Sequence, residues 1–536
     1  MSPAGPVDGV HALLLGLDPA DLRSAANGWR TLAQAVDEAG ARHRTAVNGP
    51  LRHGWQGADA DAAFRTMERT ELLLDVVRVE AEAAALTLDT VAERMYQAQT
   101  NLVNAVRRAE DGGLPVSADG RVGPPAEPPA LPAEYAELQA RSAELQARID
   151  AAHRAALDAS EQGDRALARL DADILTAPRP FGPAAETATD AAAVVRELGL
   201  VETALPDGTD PAATAAWWAH LTPEQRRSRL ALQPAELGRL DGLPAADRDR
   251  ANRLVLDQRL DALQQGGPGT FGLTDAAYNE RVAALKAIKL KLDQGDGDPP
   301  PHRLFLLGLD PEGDGRAVVA TGDPDRARHT AVFVPGTGTV LAGVPGQIDH
   351  IRRLQGAAEA TAPGEPVAVV SWLGYDAPEW GNGSVAGTGR GDAAAEPLRR
   401  FTAGLAAARG GAPGHTTVIG HSYGCYAVGA AARGGGGLHA DEIVALAAPG
   451  LGVDRASGLQ ADPAHVWVGT ARDDGIQAVA GTVFGAEPQS RPFGARRIEV
   501  DTSGHSGYWE PGSESLRNQG RIITGRPPTT VPDLPR

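Results

Sequence analysis

Residues 415–432 read His415-Thr-Thr-Val-Ile-Gly-His-Ser-Tyr-Gly-Cys-Tyr-Ala-Val-Gly-Ala-Ala-Ala432. The β-branched residues at the start of this segment favour a strand, and the alanine-rich end favours a helix. Ser422 lies between them in the pattern Gly-x-Ser-x-Gly, whose glycines permit a sharp turn. A serine on such a strand-turn-helix projects its hydroxyl from the sheet, which is the position of a nucleophile.

Short apolar segments recur from residue 303 onward, each bounded by Gly, Pro or Asp, and helical stretches separate the later segments. Continuous apolar strands that alternate with helices are typical of a mostly parallel sheet that is covered on both faces. The predicted fold class of this part is therefore α/β. The predicted strands are 304–309, 317–320, 331–334, 367–370, 418–419, 443–446, 466–468 and 498–500, and the predicted helices between them are 345–360, 392–409 and 423–433.

The N-terminal part has helical periodicity, which predicts a long all-α region before the sheet. Two predicted helices, 20–48 and 58–108, are separated by a break at Asn48-Gly49-Pro50 and by Trp55-Gln56-Gly57, so an antiparallel hairpin is expected within residues 1–110. The predicted organisation then continues with a Pro/Gly-rich linker at 111–132, a helical connecting region at 133–284, the α/β domain at 285–525 and a disordered tail at 526–536.

Composition excludes several classes of function. The net charge of -18 and the pI near 5.2 argue against a nucleic-acid partner, because phosphate binding needs clustered Lys and Arg. The single cysteine, Cys425, excludes an intramolecular disulfide and a cysteine-based zinc site. Asp310, Glu312 and Asp314 lack the other ligands of a calcium loop, so no metal site is predicted. No apolar run is long enough for a transmembrane segment, and no cleaved signal peptide is expected.

A nucleophilic serine needs a base within hydrogen-bond reach and a carboxylate that holds this base in one tautomer. The segment after the seventh predicted strand offers Asp473 and Asp474, and the loop after the eighth offers His505. The chain order serine, aspartate, histidine suits a triad at the carboxyl edge of an α/β sheet. We therefore predict Ser422 as nucleophile and His505 as base, with Asp473 or Asp474 as the acid.

An oxyanion hole needs backbone N–H groups directed at the developing negative oxygen. The amide of Tyr423, directly after the serine, and the amide of Thr337, in the glycine-rich loop after the third strand, are the predicted donors. His421 is expected to point away from the partner of the serine, and Cys425 to be a small buried residue of the helix. The glycine-rich segment 380–391 is interpreted either as a mobile wall of the pocket or as a surface loop.

Five motifs in the C-terminal part carry a family resemblance. They are Val334-Pro-Gly-Thr-Gly-Thr339, Trp372-Leu-Gly-Tyr-Asp-Ala-Pro378, Gly420-His-Ser-Tyr-Gly424, Phe493-Gly-Ala-Arg496 and Gly504-His-Ser-Gly-Tyr-Trp509. Together they resemble an actinobacterial α/β-hydrolase family of unassigned substrate, over about residues 285–525. The resemblance implies an α/β-hydrolase fold. In that family the acid lies in an Asp-Pro-Ile-like segment, which falls on Asp474-Gly-Ile476 and favours Asp474 over Asp473.

The expected activity is that of a serine hydrolase, which cleaves an ester, thioester or amide of a small or acylated substrate without a cofactor. The Trp55-Gln56-Gly57 turn resembles the W-x-G hairpins that type VII secretion systems export. This resemblance implies a helical partner or self-association through residues 10–110, and a location either in the cytoplasm or outside the cell. The alternative function is an interaction protein associated with secretion, whose hydrolase domain is vestigial.

Overall fold

We describe the protein from a computed structural model, over residues 9–127, 129, 131–170, 182–200, 205–379, 383–478 and 483–531. The chain forms two compact units. The helical unit contains the described residues of 9–39, 73–170 and 186–200, and the sheet unit contains those of 40–72, 182–185 and 205–531.

Before the sheet, the regular elements of the described chain are helices, apart from an isolated bridge between Val116 and Val122. The helices are α1 (Val10–Gly16), α2 (Pro19–His43), α3 (Gly49–Gly54), α4 (Ala58–Asp111), α5 (Pro132–Leu167), α6 (Pro183–Glu197), α7 (Pro211–His220), α8 (Pro223–Leu232), α9 (Pro234–Leu237), α10 (Ala245–Thr270) and α11 (Asp275–Gly295).

In the helical unit, α2 and α4 run antiparallel. Arg23 pairs with Glu93 at 3.1 Å, and Asp37, which comes later in α2, pairs with Arg78, which comes earlier in α4, at 3.7 Å. The face of α2 that packs inward carries small residues, of which Ala26 is fully buried. Ala33, two helical turns later, is buried as well, so small side chains fill this face.

The predicted break at Asn48-Gly49-Pro50 is wrong. A π-helical turn at Arg44–Asn48 leads directly into α3, and the chain leaves the helical path only at Trp55. Pro50 lies in the first turn of α3, where its missing N–H breaks no helical hydrogen bond. The side chain of Asn48 is hydrogen-bonded as well, since its amide donates to Glu71 at 3.1 Å. The turn therefore lies at Trp55-Gln56-Gly57 alone.

The sheet unit is built on eight described strands, in the order β1-β2-β4-β3-β5-β6-β7-β8. The two pairings that involve β2 are antiparallel, and all the others are parallel. The α/β class that the sequence predicts, with a mostly parallel sheet after a helical N-terminal region, is confirmed. The strands are β1 (Leu304–Asp310), β2 (Arg316–Thr321), β3 (His329–Val334), β4 (Val367–Leu373), β5 (His415–His421), β6 (Glu442–Leu446), β7 (Val466–Gly469) and β8 (Arg496–Arg497).

Each face of the sheet has its own hydrophobic core. Along β3, Val332 and Val334 belong to one core, and Ala331 and Phe333 belong to the other, as the twofold alternation of a strand requires. Helix α14 packs in the first core and helix α15 in the second. The helices of this part are α12 (Val344–Thr361), α13 (Gly389–Ala408), α14 (Tyr423–Ala432) and α15 (Glu514–Ile523).

The outer edge of β1 is covered by side chains of α10. The amide of Leu306 donates to Asp249 at 2.6 Å, and its carbonyl accepts from Asn252 at 3.1 Å. Arg253 donates to the carbonyl of Leu304 at 3.1 Å. Polar groups that an edge strand would expose for pairing with another chain are thus satisfied within the unit.

The compact units divide the chain differently from the predicted domains. Leu260 of α10 and Leu285 and Ile288 of α11 lie in the same hydrophobic core as β1, so these helices belong to the sheet unit. A boundary at 285 would cut through α11. The described helices include none that is long and apolar enough to cross a membrane.

The C-terminal end also differs from prediction. The eighth strand is short, Arg496–Arg497, instead of 498–500, and Ile498 pairs in an isolated bridge with Thr530. Residues 526–531 were expected to be disordered, but the carbonyl of Thr529 accepts from the amide of Glu499 at 3.0 Å. Asn518 binds the amide of Thr529 at 2.8 Å. Residues 532–536 lie outside the described residues.

Candidate active site

Ser422 occupies a strained turn between β5 and α14. Its backbone angles, φ 55 and ψ -128, lie outside the regions that residues with a side chain normally adopt. The helix begins at the next residue, Tyr423. A side chain at Gly424 would place its Cβ 2.2 Å from the carbonyl oxygen of Val334, which explains the glycine at this position. The turn is the strand-turn-helix that the sequence predicts, with Ser422 at the carboxyl end of a central strand.

Ser422, His505 and Asp474 form a continuous chain of hydrogen bonds. The Oγ of Ser422 lies 2.9 Å from Nε2 of His505, and Nδ1 of the same ring lies 2.9 Å and 3.0 Å from the two carboxylate oxygens of Asp474. A carboxylate only accepts, so Nδ1 carries the proton and Nε2 is free to accept the proton of the serine hydroxyl. The structure therefore brings together three residues that the sequence analysis assigned to one site.

The carboxylate of Asp474 is buried, with the residue 3% exposed. Burial acts to raise its pKa, but hydrogen bonds from the amide of Ile476, the hydroxyl of Tyr508 and the ring of His505 outweigh this effect and lower the pKa below the usual value. The Tyr508 hydroxyl donates at 2.7 Å and also accepts from the amide of Ala471 at 3.0 Å. Asp474 thus stays ionised, as a partner for an imidazolium must.

Asp473, the alternative acid, contacts the backbone of the same loop. Its Oδ1 accepts a hydrogen bond from the amide of Gly504 at 2.9 Å, next to His505. The ring of His505 contacts Asp474 instead. Of the two carboxylates, only Asp474 has the geometry of the acid, and Asp473 supports the loop.

His421 does not point away from His505, so this expectation is wrong. Its Nε2 lies 2.8 Å from the carbonyl oxygen of His505, and the two rings are 5.0 Å apart. The carbonyl only accepts, so Nε2 of His421 carries a proton and donates it to this bond. Burial, followed by repulsion from His505, lowers the pKa of His421 to about 4, so the ring is neutral at neutral pH.

The loop that follows β3 lies against the serine. A Cβ at Gly336 would meet the Cβ of Ser422 at 2.7 Å and lie 3.1 Å from the backbone nitrogen of Tyr423. Two hydrogen bonds fix this loop, one from the Tyr375 hydroxyl to the carbonyl of Pro335 at 2.7 Å and one from the amide of Gly338 to Pro378 at 2.8 Å. Gly336 and Thr337 lie between these anchors, and Gly336 packs against the elbow. Thr337, the predicted second oxyanion donor, is the next residue in this loop.

Sequence comparisons place this chain in a known family. A profile of the alpha/beta hydrolase family matches residues 310–483. An uncharacterized protein of Mycobacterium bovis is 31% identical over 265 residues, which are 46% of this chain and 94% of that relative. The chain belongs to the alpha/beta hydrolase family.

A second relative, an uncharacterized protein of Mycobacterium tuberculosis, is 31% identical over 371 residues, which are 60% of this chain. The chain spans 56% of the length of that relative. Within this alpha/beta hydrolase, Ser422 and Asp474 fall inside the segment that the family profile matches, and His505 follows it.

The glycine-rich segment of the hydrolase is anchored at its described end. The hydroxyl of Tyr423 donates to the carbonyl of Gly387 at 2.7 Å and accepts from the amide of Gly391 at 3.1 Å. A Cβ at Gly391 would lie 2.4 Å from the ring of Tyr426, so the segment packs tightly on α14. This part is therefore held against the helix that follows the serine, while residues 380–382 lie outside the described residues.

The other polar candidates of the hydrolase have structural partners. Cys425 is buried and its Sγ donates to the carbonyl of Leu446 at 3.2 Å, and burial raises the pKa of the thiol. Arg316 pairs with Asp310 at 2.7 Å, and Arg281 with Glu312 at 3.2 Å. Within the described residues, no group of three His, Cys, Asp or Glu side chains could hold a metal ion.

A cavity of about 900 Å³ lies at the opposite edge of the hydrolase sheet. Its walls include Phe305 at the start of β1, Gly322 after β2 and Val367 at the start of β4. The start of β4 pairs with the start of β3, and Ser422 follows the end of β5, which is parallel to β3. The cavity is thus separate from the site around Ser422.

Two contacts of the site were not predicted from the sequence. Tyr508 lies in the motif that contains His505, but its bond to Asp474 needs the fold to bring residues 34 positions apart together. His421 is adjacent to the serine, and its partner carbonyl is 84 positions away. A tyrosine three residues after a predicted catalytic histidine was the one available signal.

Proposed function

We propose that this alpha/beta hydrolase is a serine hydrolase that cleaves an acyl bond through an acyl-enzyme. Ser422 is the nucleophile, His505 the general base and acid, and Asp474 the carboxylate that orients His505. The amides of Tyr423 and Thr337 are the donors to the oxyanion. The substrate is a carboxylic ester, a thioester or an amide, and no cofactor takes part.

In the first half-reaction, Ser422 Oγ attacks the carbonyl carbon of the substrate while its proton passes to Nε2 of His505. The carbonyl oxygen becomes negative and accepts hydrogen bonds from the Tyr423 and Thr337 amides. The tetrahedral intermediate then expels the leaving group, which takes the proton from His505. The product that remains is an ester between Ser422 and the acyl group.

In the second half-reaction, His505 takes a proton from a water molecule as this water attacks the acyl-enzyme. The bond from the acyl carbon to Ser422 Oγ breaks, the proton returns to the serine oxygen, and the carboxylic acid leaves. Asp474 remains ionised throughout, because its hydrogen bonds stabilise the carboxylate form.

The observation that carries the proposal is the 2.9 Å distance between Ser422 Oγ and His505 Nε2. Distances of this kind allow direct proton transfer between the serine and its base. The strained backbone of Ser422 supports the same function, because strain of this type persists where the surrounding structure imposes it, often at active sites.

Labelling with a fluorophosphonate tests the proposal on the full chain. The reagent forms a bond from phosphorus to an activated serine oxygen and releases fluoride, so it needs no knowledge of the substrate. We expect wild type to be labelled and Ser422→Ala to lose labelling. Ser490→Ala is the matched control, because the Ser490 hydroxyl donates to the carbonyl of Glu487 and does not contact the triad. Equal labelling of wild type and Ser422→Ala would contradict the proposal.

The second candidate function is that of an interaction protein with a vestigial hydrolase domain, and one surface of the helical unit supports the interaction part of it. Trp29 and Leu32 on α2 are 44% and 42% exposed, and Leu22 and Val36 continue this row at heptad spacing. We propose self-association through this row. Light scattering of wild type and Trp29→Asp tests it: a dimer that the substitution dissociates supports the surface, and a monomeric wild type contradicts it.

A further inference from the structure

His421 contacts the proposed base through the backbone. The carbonyl of His505 accepts the hydrogen bond from His421 Nε2 at 2.8 Å, and the amide that precedes His505, that of Gly504, donates to Asp473 at 2.9 Å. The ring itself is fixed by Asp474. His505 is therefore held by one bond on its own backbone and one on its side chain, and a third bond holds the backbone of the preceding residue, Gly504.

We infer that His421 is a positioning residue. It acts as a neutral Nε2–H donor and fixes the distance between the His505 backbone and Ser422. This inference rests on the proposed function of Ser422 and His505. His421 ends β5 and Ser422 is the next residue, so one short segment places both the nucleophile and a support of its base. A shift of the His505 loop relative to β5 would change the distance from Nε2 to the serine oxygen, on which proton transfer depends.

The surroundings of His421 fix its ring in this orientation. Trp509 packs edge-on against it, with ring centroids 4.9 Å apart, and Tyr508 lies 5.8 Å away on the same short turn. Both aromatic rings follow His505 closely in the chain. The loop that carries His505 therefore also supplies the aromatic rings that pack against His421.

A neutral ring is needed at this position. The titratable groups around His421 include His505, Asp474 and Tyr508 on the loops above the sheet, and His350 on α12. A positive charge on His421, with its ring 5.0 Å from His505, would oppose formation of the imidazolium during attack. Burial and the neighbouring histidines lower the pKa of His421, so that this charge is absent when His505 accepts the serine proton.

The test compares two substitutions that separate the hydrogen bond from packing. In His421→Gln the side-chain amide can still donate to the carbonyl of His505, and in His421→Leu a side chain of similar bulk cannot. We measure the rate constant of fluorophosphonate labelling of the full chain between pH 5 and 9. On the high-pH plateau, we expect His421→Leu to be about tenfold slower than wild type and His421→Gln to remain within about twofold.

His350→Gln is the matched control, because His350 also stacks on Trp509, at 4.7 Å, from α12. We expect it to label at the wild-type rate. Equal rates of His421→Leu and wild type, or equal losses in the Leu and Gln variants, would overturn the role of the hydrogen bond. Equal labelling of wild type and Ser422→Ala would instead overturn the proposed function, so the two failures are distinct.

A measurement on wild type keeps the inference testable if the variants unfold. Nitrogen NMR of the histidine rings in the full chain reports which nitrogen carries the proton. We expect His421 to be protonated on Nε2 and unprotonated on Nδ1 throughout pH 5.5 to 8, about one unit or more above the range in which it titrates. The opposite tautomer, or a charged ring in this range, overturns the assignment.

Discussion

Asp473 and Asp474 are neighbours in the chain and bind two different parts of one loop. Asp474 accepts from the ring of His505 at 2.9 Å, and Asp473 accepts from the backbone amide of Gly504 at 2.9 Å. Asp474 is buried and Asp473 is exposed. Asp474 therefore fixes the tautomer of the His505 ring, and Asp473 fixes the loop that carries this ring.

The two aspartates should respond differently to replacement by asparagine. In Asp474→Asn the amide can donate toward Nδ1 and favour the wrong tautomer of His505, so we expect the labelling rate to fall by about 10³- to 10⁴-fold. In Asp473→Asn the side-chain oxygen still accepts from Gly504, and we expect a loss of no more than about threefold. Comparable losses in the two variants would show that the division of roles is wrong.

The stability of the sheet unit should depend on pH through Asp325. Burial, opposed by the amide of Ala245 and aided by repulsion from Asp323, raises the pKa of this carboxyl to about 6. The folded state therefore keeps the proton better than the unfolded state. Its stabilising contribution is complete below the unfolded pKa near 3.8 and is lost as the pH rises through about 6.

Asp325→Asn should remove this dependence, because the asparagine side chain does not titrate. Its amide oxygen can still accept the hydrogen bond from the amide of Ala245. We expect the variant to be more stable than wild type by about 1–2 kcal/mol at pH 7.5, with a smaller difference at pH 4.5. Urea unfolding at both pH values measures the change. If Asp325→Asn stabilised the protein more at pH 4.5 than at pH 7.5, the raised pKa of Asp325 would be contradicted.

The loop that follows β3 should not tolerate a side chain at Gly336. An added Cβ would lie 2.7 Å from both the carbonyl oxygen of His421 and the Cβ of Ser422. We expect Gly336→Ala to abolish labelling and to destabilise the fold by about 1–3 kcal/mol, because backbone atoms must shift. The control is Gly346→Ala on α12, which has open space around its Cβ and should gain up to about 1 kcal/mol. Thermal unfolding and labelling of both variants test this prediction. Wild-type labelling and stability in Gly336→Ala would contradict it.

Tyr423 should couple α14 to the glycine-rich segment. Removal of its hydroxyl in Tyr423→Phe deletes the bonds to Gly387 and Gly391 and leaves the Tyr423 amide in place. We expect hydrogen exchange at residues 387–391 to become about tenfold faster, with labelling of Ser422 retained. Unchanged exchange in this segment would mean that packing on Tyr426 alone anchors it.

The parts of the site that the sequence predicted are those that local pattern and chain order determine. The elbow at Ser422 follows from a β-branched strand, a glycine-bounded turn and an alanine-rich helix in direct succession. The choice of His505 and of an aspartate before it follows from their places after successive strands. These features need only the rule that parallel strands end at one edge of the sheet.

The contact of His421 could not be predicted in the same way. The periodicity of β5 places His421 at the strand end, but its partner is a backbone carbonyl, which has no sequence signature. Likewise, the inclusion of α10 in the sheet unit depends on side chains such as Asp249 and Asn252 that bind the edge of β1. Polar residues in a helix do not indicate which distant backbone groups they satisfy.

The cavity at the amino ends of β3 and β4 has a practical consequence for inhibitor discovery. A compound selected because it fills those 900 Å³ would bind across the sheet from Ser422 and leave the serine open to a covalent probe. Screening hits should therefore be sorted by competition with the probe. A hit that slows labelling binds at or near Ser422, and a hit that raises the melting temperature without slowing labelling binds elsewhere, as a ligand of this cavity would.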